Sequence, residues 1–193
     1  MQVLKEEIRH SILRRAGETF LELGFDKTSM KDIAGKVGVA VGNLYRYFPN
    51  KESLFEAVVK PAYEQLLQLI QVNEKEPIEG GAVIDKIGTI FAELVYEHRE
   101  GLLILLYRSS GTAYEGAKAE FFDHLAEHMG IHINEYNRKY PTNPLSLQVS
   151  RPVAVAFLEG YFDMIRTHSD RDQMTEITKQ YMAVWFMGLK AVL

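Results

Sequence analysis

The amino-acid sequence predicts an all-α fold of about nine helices, and three observations support this prediction. Apolar residues recur every three or four positions along nearly the whole chain, which is the period of a helix. No segment alternates between apolar and polar residues, and no hairpin dipeptide separates two β-branched runs. Proline and glycine divide the 193 residues into pieces of helix length, so we expect helices joined by short loops.

The first predicted helix covers residues 3–23. Ile8, Ile12 and Phe20 fall on one face at multiples of four positions, which marks the side that faces the core. Gly24 follows directly and is a typical helix stop. The charged residues on the other faces are best explained as a solvated helix surface.

The segment Thr28–Phe48 predicts two short helices joined by a tight turn. Ser29 and Asp32 have the spacing of a capping box, and Gly38 ends the first helix where a left-handed backbone is needed. This arrangement has the spacing of a helix-turn-helix, whose second helix lies in the DNA major groove, but an ordinary helical corner explains it equally well. The apolar positions that define the buried faces are Met30, Ile33, Ala34, Val37, Leu44 and Phe48.

The next predicted helix covers residues 51–70. Asn50 is a plausible N-cap for it. Pro61 lies inside it, and proline removes one backbone hydrogen bond, so a kink or a break is expected just before that residue. We place the domain boundary here, between a head of residues 1–60 and a second domain of residues 61–193.

The second domain is divided by further breakers. Loops are expected at 77–81, at Gly101, at 109–116 and at the Pro141–Pro144 segment. No internal repeat or low-complexity tract interrupts this pattern. The helices predicted between these breaks cover residues 82–98, 102–108, about 114–140, about 145–168 and 173–192.

Charge is unevenly distributed along the chain, whose formal net charge is −4 at pH 7. Residues 1–60 hold 10 basic and 8 acidic residues, a net +2, whereas residues 61–193 hold 12 and 18, a net −6. The acidic excess therefore lies away from the predicted helix-turn-helix. Because the head is only mildly basic, any DNA affinity has to come from well-placed contacts.

Composition favours a cytoplasmic protein without a membrane partner. The chain has no cysteine, which excludes disulfides and thiolate zinc sites and suits a reducing compartment. The N-terminal residues lack the basic-then-apolar profile of a signal peptide. The longest apolar runs, such as Leu102–Tyr107, are far shorter than the ~20 residues of a membrane helix.

Residue patterns give little support to catalytic or metal chemistry. The sequence has no phosphate-binding loop, dinucleotide-binding glycine pattern, nucleophile elbow or metalloprotease motif. His124, His128 and His132 repeat at four-residue intervals, a spacing compatible both with solvated histidines and with metal chelation. Because no second segment offers further ligands, we expect no metal site, no cofactor and no enzyme activity.

One stretch of the head, Gly38–Phe55, resembles the recognition-helix signature of TetR-family bacterial transcriptional regulators. It reads Gly-Val-Ala-Val-Gly-Asn-Leu-Tyr-Arg-Tyr-Phe-Pro-Asn-Lys-Glu-Ser-Leu-Phe. The resemblance covers about residues 5–60 and implies a three-helix DNA-binding head, an all-α ligand-binding and dimerisation domain, and a homodimer. Such proteins are usually repressors released by a small molecule. The upstream residues that share the family pattern are Ala16, Phe20, Gly24, Phe25, Thr28, Ser29, Met30, Ile33 and Ala34.

The outer face of the second short helix suits DNA. Asn43 can donate to and accept from a base edge, Arg46 can pair bidentately with guanine, and Gly42 lets the backbone approach closely. The resemblance implies the same roles, and it adds Thr28 at the phosphate backbone and Lys31 at bases or phosphate. The complete predicted DNA-binding set is Thr28, Ser29, Lys31, Ala40, Val41, Gly42, Asn43, Tyr45, Arg46, Tyr47 and Lys51.

Two positions of this set depart from the family pattern. Ala40 stands where Ser or Thr often caps the recognition helix, a loss of about 1 kcal/mol, and Val41 stands where a basic or polar residue is common. Tyr45 and Tyr47 offer hydroxyls to phosphate, although packing between helices is an alternative role. Lys51 offers a charge near a helix N-terminus, which favours phosphate contact.

Two further sites are expected in the second domain. The last two helices carry more apolar surface than one core contact needs, which favours a four-helix dimer interface over a monomer core. The aromatic middle helices favour a pocket for an apolar or amphipathic effector, although plain core packing is the alternative for each residue. The predicted interface residues are Phe157, Gly160, Tyr161, Tyr181, Trp185 and Gly188, and the candidate ligand contacts are Phe91, Tyr96, Tyr107, Arg108 and Phe122.

Together these expectations describe a ligand-responsive repressor that binds a palindromic operator as a homodimer. Pro61 is a candidate for transmitting a ligand-induced shift to the heads, and a static kink is the alternative. A transcriptional activator of the same fold and an all-α interaction module are the competing functions. The sequence names neither the operator nor the effector.

Overall fold

The computed structural model describes residues 2–71 and 81–192 of the chain. Within these ranges the backbone forms eight α-helices and no strand, which confirms the all-α fold. None of the described helices combines the length and the apolar character that crossing a bilayer requires. Apart from Gly81, the loop predicted at 77–81 lies outside the described residues. The helices are α1 (Gln2–Leu23), α2 (Met30–Val37), α3 (Val41–Tyr47), α4 (Lys51–Gln71), α5 (Gly81–Tyr107), α6 (Ala117–Lys139), α7 (Ser150–Thr167) and α8 (Arg171–Val192).

The turn predicted at Gly101 is three residues too late: two helical segments meet in a kink at His98, and counted together as α5 they give eight described α-helices instead of nine. α5 continues through Gly101, and its irregular residue is His98, whose φ of −128° and ψ of 16° mark a kink. A side chain at Gly101 would begin 3.2 Å from the Ala62 methyl and 3.3 Å from the Val58 carbonyl oxygen. Glycine is therefore present because α5 passes close to α4, not because the chain turns.

α4 does not break at Pro61, where the sequence predicts a kink or a break. α4 starts after Asn50, whose Oδ1 accepts a hydrogen bond of 2.7 Å from the Ser53 backbone N–H, as the sequence predicts. The helix then runs through Pro61 to Gln71. Proline removes one helical hydrogen bond, and buried side chains hold the helix on both sides of that position. Those side chains are Leu54, Phe55, Val59, Ala62, Leu66 and Ile70.

The helix predicted from about residue 145 begins later. α7 starts at Ser150, after a short 3₁₀ turn at Leu147–Val149 that the Ser146 hydroxyl caps by accepting from the Gln148 backbone N–H at 3.2 Å. Pro152 then lies in the first helical turn, where the missing N–H has no intrahelical partner to lose. Proline is unfavourable further inside a helix, so Pro152 limits how early α7 can begin.

The chain divides into two compact units that do not follow a single cut in the sequence. The first unit contains the residues up to Glu64 together with His98–Ala117, and the second contains Gln65–Glu97 together with the residues from Lys118 onward. The boundaries fall inside α4 and at the α5 kink. The core of the first unit includes Ile12, Phe20, Ile33, Leu44, Leu54 and Phe55, and that of the second includes Phe121, Ala154, Leu158, Tyr161, Phe162 and Ile165.

Candidate nucleic-acid interface

α2 carries the stabilising devices of a short helix at both of its ends. The Ser29 hydroxyl accepts from the Asp32 backbone N–H at 3.2 Å, and Asp32 Oδ2 accepts from the Ser29 N–H at 3.1 Å, which confirms the predicted capping box. The Ser29 hydroxyl also donates to this carboxylate, and these bonds lower the pKa of Asp32 from its usual 3.8. At the other end Gly38, with φ of 78°, donates to the carbonyls of Ala34 and Gly35.

α3 is positioned by packing instead. Its N-cap is Ala40, which provides no side-chain hydrogen bond, as the sequence predicts. Leu44 is fully buried under the helix, and Phe48, which follows it, is 4% exposed and donates its backbone N–H to the Leu44 carbonyl at 3.1 Å. The Arg9 guanidinium of α1 lies 5.4 Å from the centre of the Phe48 ring. These contacts fix which face of α3 points inward.

The opposite face of α3 presents the residues that the sequence predicts for DNA contact. Tyr45 is 48% exposed, Arg46 is exposed, and Asn43 and Tyr47 are partly exposed. No atom lies within 4 Å of the position a side chain would take at Gly42. Nearby in sequence, Ser29, Lys31 and Ala40 are exposed and Val41 is partly exposed. The surface therefore offers a guanidinium, an amide and two phenolic hydroxyls beside open backbone, the groups that read base edges and hold phosphates.

Thr28 is bound within the head. Its side chain is 3% exposed, and its hydroxyl donates to the Gly24 carbonyl at 2.7 Å. Its backbone N–H donates to the Phe25 carbonyl at 3.2 Å. The resemblance places Thr28 at the phosphate backbone, and that contact stays a prediction; the hydroxyl itself satisfies a backbone carbonyl at the end of α1, which would otherwise lack a partner.

Lys51 is also bound within the head. Its ammonium donates to the Phe25 carbonyl oxygen at 2.8 Å and lies 4.0 Å from the centre of the Phe25 ring. From the other side, the Phe25 N–H donates to the Arg108 carbonyl at 3.2 Å, and Arg108 Nε donates to the Leu21 carbonyl at 3.0 Å. Phosphate contact by Lys51 stays a prediction, and it would have to share an ammonium that already holds the α1–α2 loop.

Phe25 and Arg108 both help to hold the head together, a role that no sequence pattern assigns to them. Phe25 lies 5.2 Å from the Phe55 ring and 6.2 Å from the Phe20 ring, measured between ring centres. The sequence feature that could have indicated the importance of Phe25 is its position directly after Gly24 in the family pattern. Arg108 is 87 residues from its partner Leu21, and no local pattern predicts that pairing.

Comparison with known proteins agrees with this geometry. The family described as "Bacterial regulatory proteins, tetR family" matches residues 12–58, which extend from α1 into α4. An uncharacterized HTH-type transcriptional regulator of Haemophilus influenzae is 26% identical over 175 residues, which cover 89% of this chain and 85% of that protein. The regulator UidR of Escherichia coli is 34% identical over 97 residues, 50% of this chain and 47% of UidR. The N-terminal part of the chain is thus similar to regulators of the TetR family.

Solved structures of TetR-family proteins share the fold of the whole chain. A TetR-family regulator from Streptomyces coelicolor superposes with a TM-score of 0.69, covers 91% of this chain and 89% of its own, and is 16% identical. At this identity the likeness concerns the fold alone. The curated relatives that resemble this chain are themselves described as HTH-type transcriptional regulators.

The candidate ligand contacts of this chain are divided between the two units. Tyr107 and Arg108 belong to the first unit, where Arg108 bonds to α1. Phe91, Tyr96 and Phe122 belong to the second unit. Phe91 is nearly buried, whereas Tyr96 is 59% exposed with the Arg171 guanidinium 4.0 Å from its ring centre. Within the second unit a chain of rings connects two candidates: Phe91, Tyr161, Phe162 and Phe122, with centres 5.1, 6.2 and 6.2 Å apart in turn.

One residue of the predicted dimer interface is wrong. Tyr161 is fully buried inside its own chain, where its hydroxyl donates to the Phe91 carbonyl at 2.7 Å and burial raises its pKa well above 10.0. Gly160 provides a close approach, but within the chain: a side chain there would overlap the Tyr181 ring of α8. Tyr181 in turn donates to the Phe157 carbonyl at 2.6 Å. The small residue therefore serves α7–α8 packing.

The histidines of α6 do not form a three-ligand cluster. Among the described residues, no group of three or more histidine, aspartate and glutamate side chains is arranged to hold a metal ion. The His124 ring nitrogens lie 3.8 Å from Glu120 and 3.9 Å from Glu127. His128 and His132 face each other instead, with their Nε2 atoms 2.8 Å apart.

Proposed function

We propose that this regulator is a ligand-responsive repressor that binds a palindromic operator as a homodimer in the cytoplasm. The observation that carries the proposal is the division of α3 into two faces. Leu44 faces the core, while Asn43, Tyr45 and Arg46 lie on exposed or partly exposed surface. A helix that is anchored in the core by one buried side chain and has polar residues on its outer face fits the recognition helix of a helix-turn-helix.

Specificity is assigned to Arg46 and Asn43. A guanidinium pairs bidentately with the O6 and N7 atoms of guanine, and an amide pairs with adenine or with a phosphate oxygen. Tyr45, Tyr47 and Lys31 supply hydroxyl and ammonium groups for phosphates, which position the helix without reading sequence. Gly42 completes the surface because its open surroundings let the backbone approach the duplex.

The homodimer is assigned to the outward side of α7 and α8. On α8, Val184 and Met187 are 71% and 65% exposed and the adjacent Gly188 is exposed, and on α7 Ala156 is exposed. Inward of these, the rings of Phe157, Tyr181 and Trp185 pack within about 5.5–6.1 Å of one another. Exposed large apolar side chains on α8, beside an exposed small residue on α7, suit a helical dimer interface, and two helices from each chain would make a four-helix bundle.

DNA binding is tested by titrating the purified full-length protein into the duplex that flanks its own coding region. We expect specific binding, and the logarithm of the binding constant should fall against the logarithm of the salt concentration with a slope of about −0.9 per neutralised phosphate. The bound duplex should contain two half-sites about 34 Å apart. A scrambled duplex of the same length is the control. Equal affinity for both duplexes at every salt concentration would contradict sequence-specific binding.

The oligomeric state is tested by sedimentation of the protein at micromolar concentration. We expect a dimer, and Met187→Glu should give monomers because it places a charge in the apolar interface. Lys179 provides the control position: Lys179→Glu changes charge on the same helix at a site that packs against α5 in its own chain. A wild-type monomer would contradict the homodimer.

Repression is distinguished from activation by a reporter gene placed behind the same DNA. We expect the intact protein to lower reporter output, and an apolar or amphipathic effector to restore it. Higher output in the presence of the protein would favour an activator of the same fold. An output that never changes would contradict both.

A further inference from the structure

Two histidines of α6 face each other across one helical turn. His128 Nε2 and His132 Nε2 are 2.8 Å apart, and their ring centres are 4.8 Å apart with the planes inclined by 42°. A neutral imidazole has one N–H and one lone pair. At this distance one of the two nitrogens must hold a proton and the other must accept it, so the pair already shares one positively polarised atom.

The orientation of His128 is fixed by a second contact. Its ring hydrogen-bonds to the backbone of Ile70, which lies one residue before the end of α4. The last carbonyls of a helix have no intrahelical donor, so the ring N–H satisfies one of them. Since Nε2 faces His132, the bond to Ile70 belongs to Nδ1, and the Nε2 lone pair is left for His132.

The outer nitrogen of His132 faces a carboxylate. His132 Nδ1 lies 3.8 Å from Glu135 Oε2. The imidazole is 38% exposed, so solvent and dissolved ions reach it. Histidines that bind metals usually donate their other N–H to a carboxylate or a backbone carbonyl. His128 shows the backbone arrangement, and His132 Nδ1 has a carboxylate near enough to accept its N–H once a metal ion replaces the proton on Nε2.

We propose that Nε2 of His128 and Nε2 of His132 together bind a divalent first-row transition-metal ion such as Cu²⁺, Ni²⁺ or Zn²⁺. The metal takes the place of the proton that the two nitrogens share. Imidazole suits these ions, and two histidines at a spacing of four residues on a helix are a chelating pair. Two nitrogens at about 2.0–2.1 Å from a tetrahedral ion lie about 3.3 Å apart, so the rings need to separate by only about half an ångström. Water or a bound molecule completes the coordination.

His124 does not belong to the proposed site. It is one turn before His128 on the same helix, but its ring nitrogens are directed to Glu120 and Glu127. The site therefore has two protein ligands, which agrees with the absence of a three-ligand group among the residues that the structure describes. His124 is the matched control, because it is also a partly exposed histidine of α6 with carboxylate neighbours.

The test is Cu²⁺ binding to the untagged full-length protein, followed by electron paramagnetic resonance. We expect one tightly bound Cu²⁺ per chain whose pulsed spectrum shows two coordinated imidazoles. His132→Gln should weaken binding at least about tenfold and leave at most one coordinated imidazole, as should His128→Gln. His124→Gln should retain the wild-type affinity and spectrum. An unchanged spectrum in His132→Gln, or an equal loss in His124→Gln, would overturn the proposal.

A second measurement does not depend on copper. Zn²⁺ should raise the melting temperature of the wild-type protein, because an ion that binds the folded state stabilises it. The same addition should leave His132→Gln unshifted, while circular dichroism shows that this variant is folded. Lowering the pH from 7 to 5 should abolish the shift, since protonated imidazoles bind no metal. A Zn²⁺ shift that survives in His132→Gln would place the metal elsewhere.

Discussion

α2 and α3 are neighbouring helices of eight and seven residues, but different interactions hold them. α2 has the Ser29–Asp32 capping box at its start and the left-handed Gly38 at its end. α3 begins after Ala40 without any side-chain cap. α2 buries three residues and α3 buries Leu44 alone.

The difference shows how the exposed positions of a recognition helix can change in sequence while the helix stays in place. Helices shorter than about 12 residues are marginal in water, so each needs support from outside its own backbone. α2 receives that support from local side chains, and α3 receives it from Leu44 and from Phe48 behind it. Because one buried residue fixes α3, its remaining positions are left to meet DNA.

The largest effect on the difference between α2 and α3 is expected at Leu44. Leu44→Ala should lower the free energy of unfolding by about 2–5 kcal/mol, because it removes the buried anchor of α3 and leaves a cavity. Urea denaturation measures this loss. Tyr45→Ala is the control on the next, exposed position and should stay within about 0.5 kcal/mol of wild type. Equal losses in the two variants would mean that α3 is not anchored through Leu44.

The outer face of α3 is tested at Arg46. Arg46→Ala should reduce discrimination at one operator base pair by about 1–3 kcal/mol, because the bidentate guanidinium contact to guanine is lost. Competition binding against operator variants changed at single positions measures this. Lys31→Ala, also an exposed cation of the head, should instead weaken all duplexes alike. If Arg46→Ala loses affinity equally for specific and random DNA, its assigned role is incorrect.

The capping of α2 is tested at Ser29. Ser29→Ala should cost about 1 kcal/mol of stability, because the hydroxyl no longer satisfies the Asp32 backbone N–H. Thermal and urea denaturation at pH 7 measure this cost. Ser110→Ala provides a control that removes an exposed hydroxyl bonded within a loop of the same unit. A cost of zero at Ser29 would mean that α2 depends on packing as much as α3 does.

The carboxylate of this cap adds a pH dependence. The folded-state pKa of Asp32 is lowered, mainly by the Ser29 hydroxyl and then by its backbone N–H. Its contribution to stability is therefore present above the unfolded pKa of 3.8 and is lost as the pH falls through the lower folded value. The stability difference between wild type and Asp32→Asn should shrink as the pH is lowered below that range. A difference that stays constant would show that the charge of Asp32 has no part in the cap.

The smallest effect is expected at Ala40. Ala40→Ser should raise stability by about 0.5–1 kcal/mol, because a hydroxyl at the N-cap can accept from a free N–H of the first turn of α3. Ala40→Val, which adds bulk without an acceptor, should give no such gain. The melting temperature measures both. A gain of the same size in the valine variant would assign the effect to packing.

Much of the head was predictable because its signals are local. The Ser29–Asp32 cap, the Asn50 cap and the stop signals at Gly24 and Gly38 each involve residues within four positions, and the structure confirms all of them. The exposed side of α3 follows from the position of Leu44 in the same way, because one buried residue fixes the orientation of a two-turn helix.

The errors occurred where a distant partner determines the role of a residue. Gly101 resembled a turn but permits close contact with α4, and Tyr161 resembled an interface residue but is buried against Phe91, 70 positions earlier. Lys51 also has a partner that its sequence neighbours do not indicate, the Phe25 carbonyl 26 positions earlier, and its phosphate contact stays a prediction. For Tyr161 and Lys51 the type of interaction, a close helix contact or a polar contact, was predicted, but the partner was not.

By itself, the sequence determined the helical class, the caps and stops of the head, and the polar face of α3. These depend on backbone periodicity and on hydrogen bonds between near neighbours. The tertiary structure alone decided that α4 passes through Pro61, that Arg108 holds α1, and that His128 meets both Ile70 and His132. Such contacts depend on which helices pack together, and that arrangement is set by the sum of many buried contacts rather than by any short stretch of the chain.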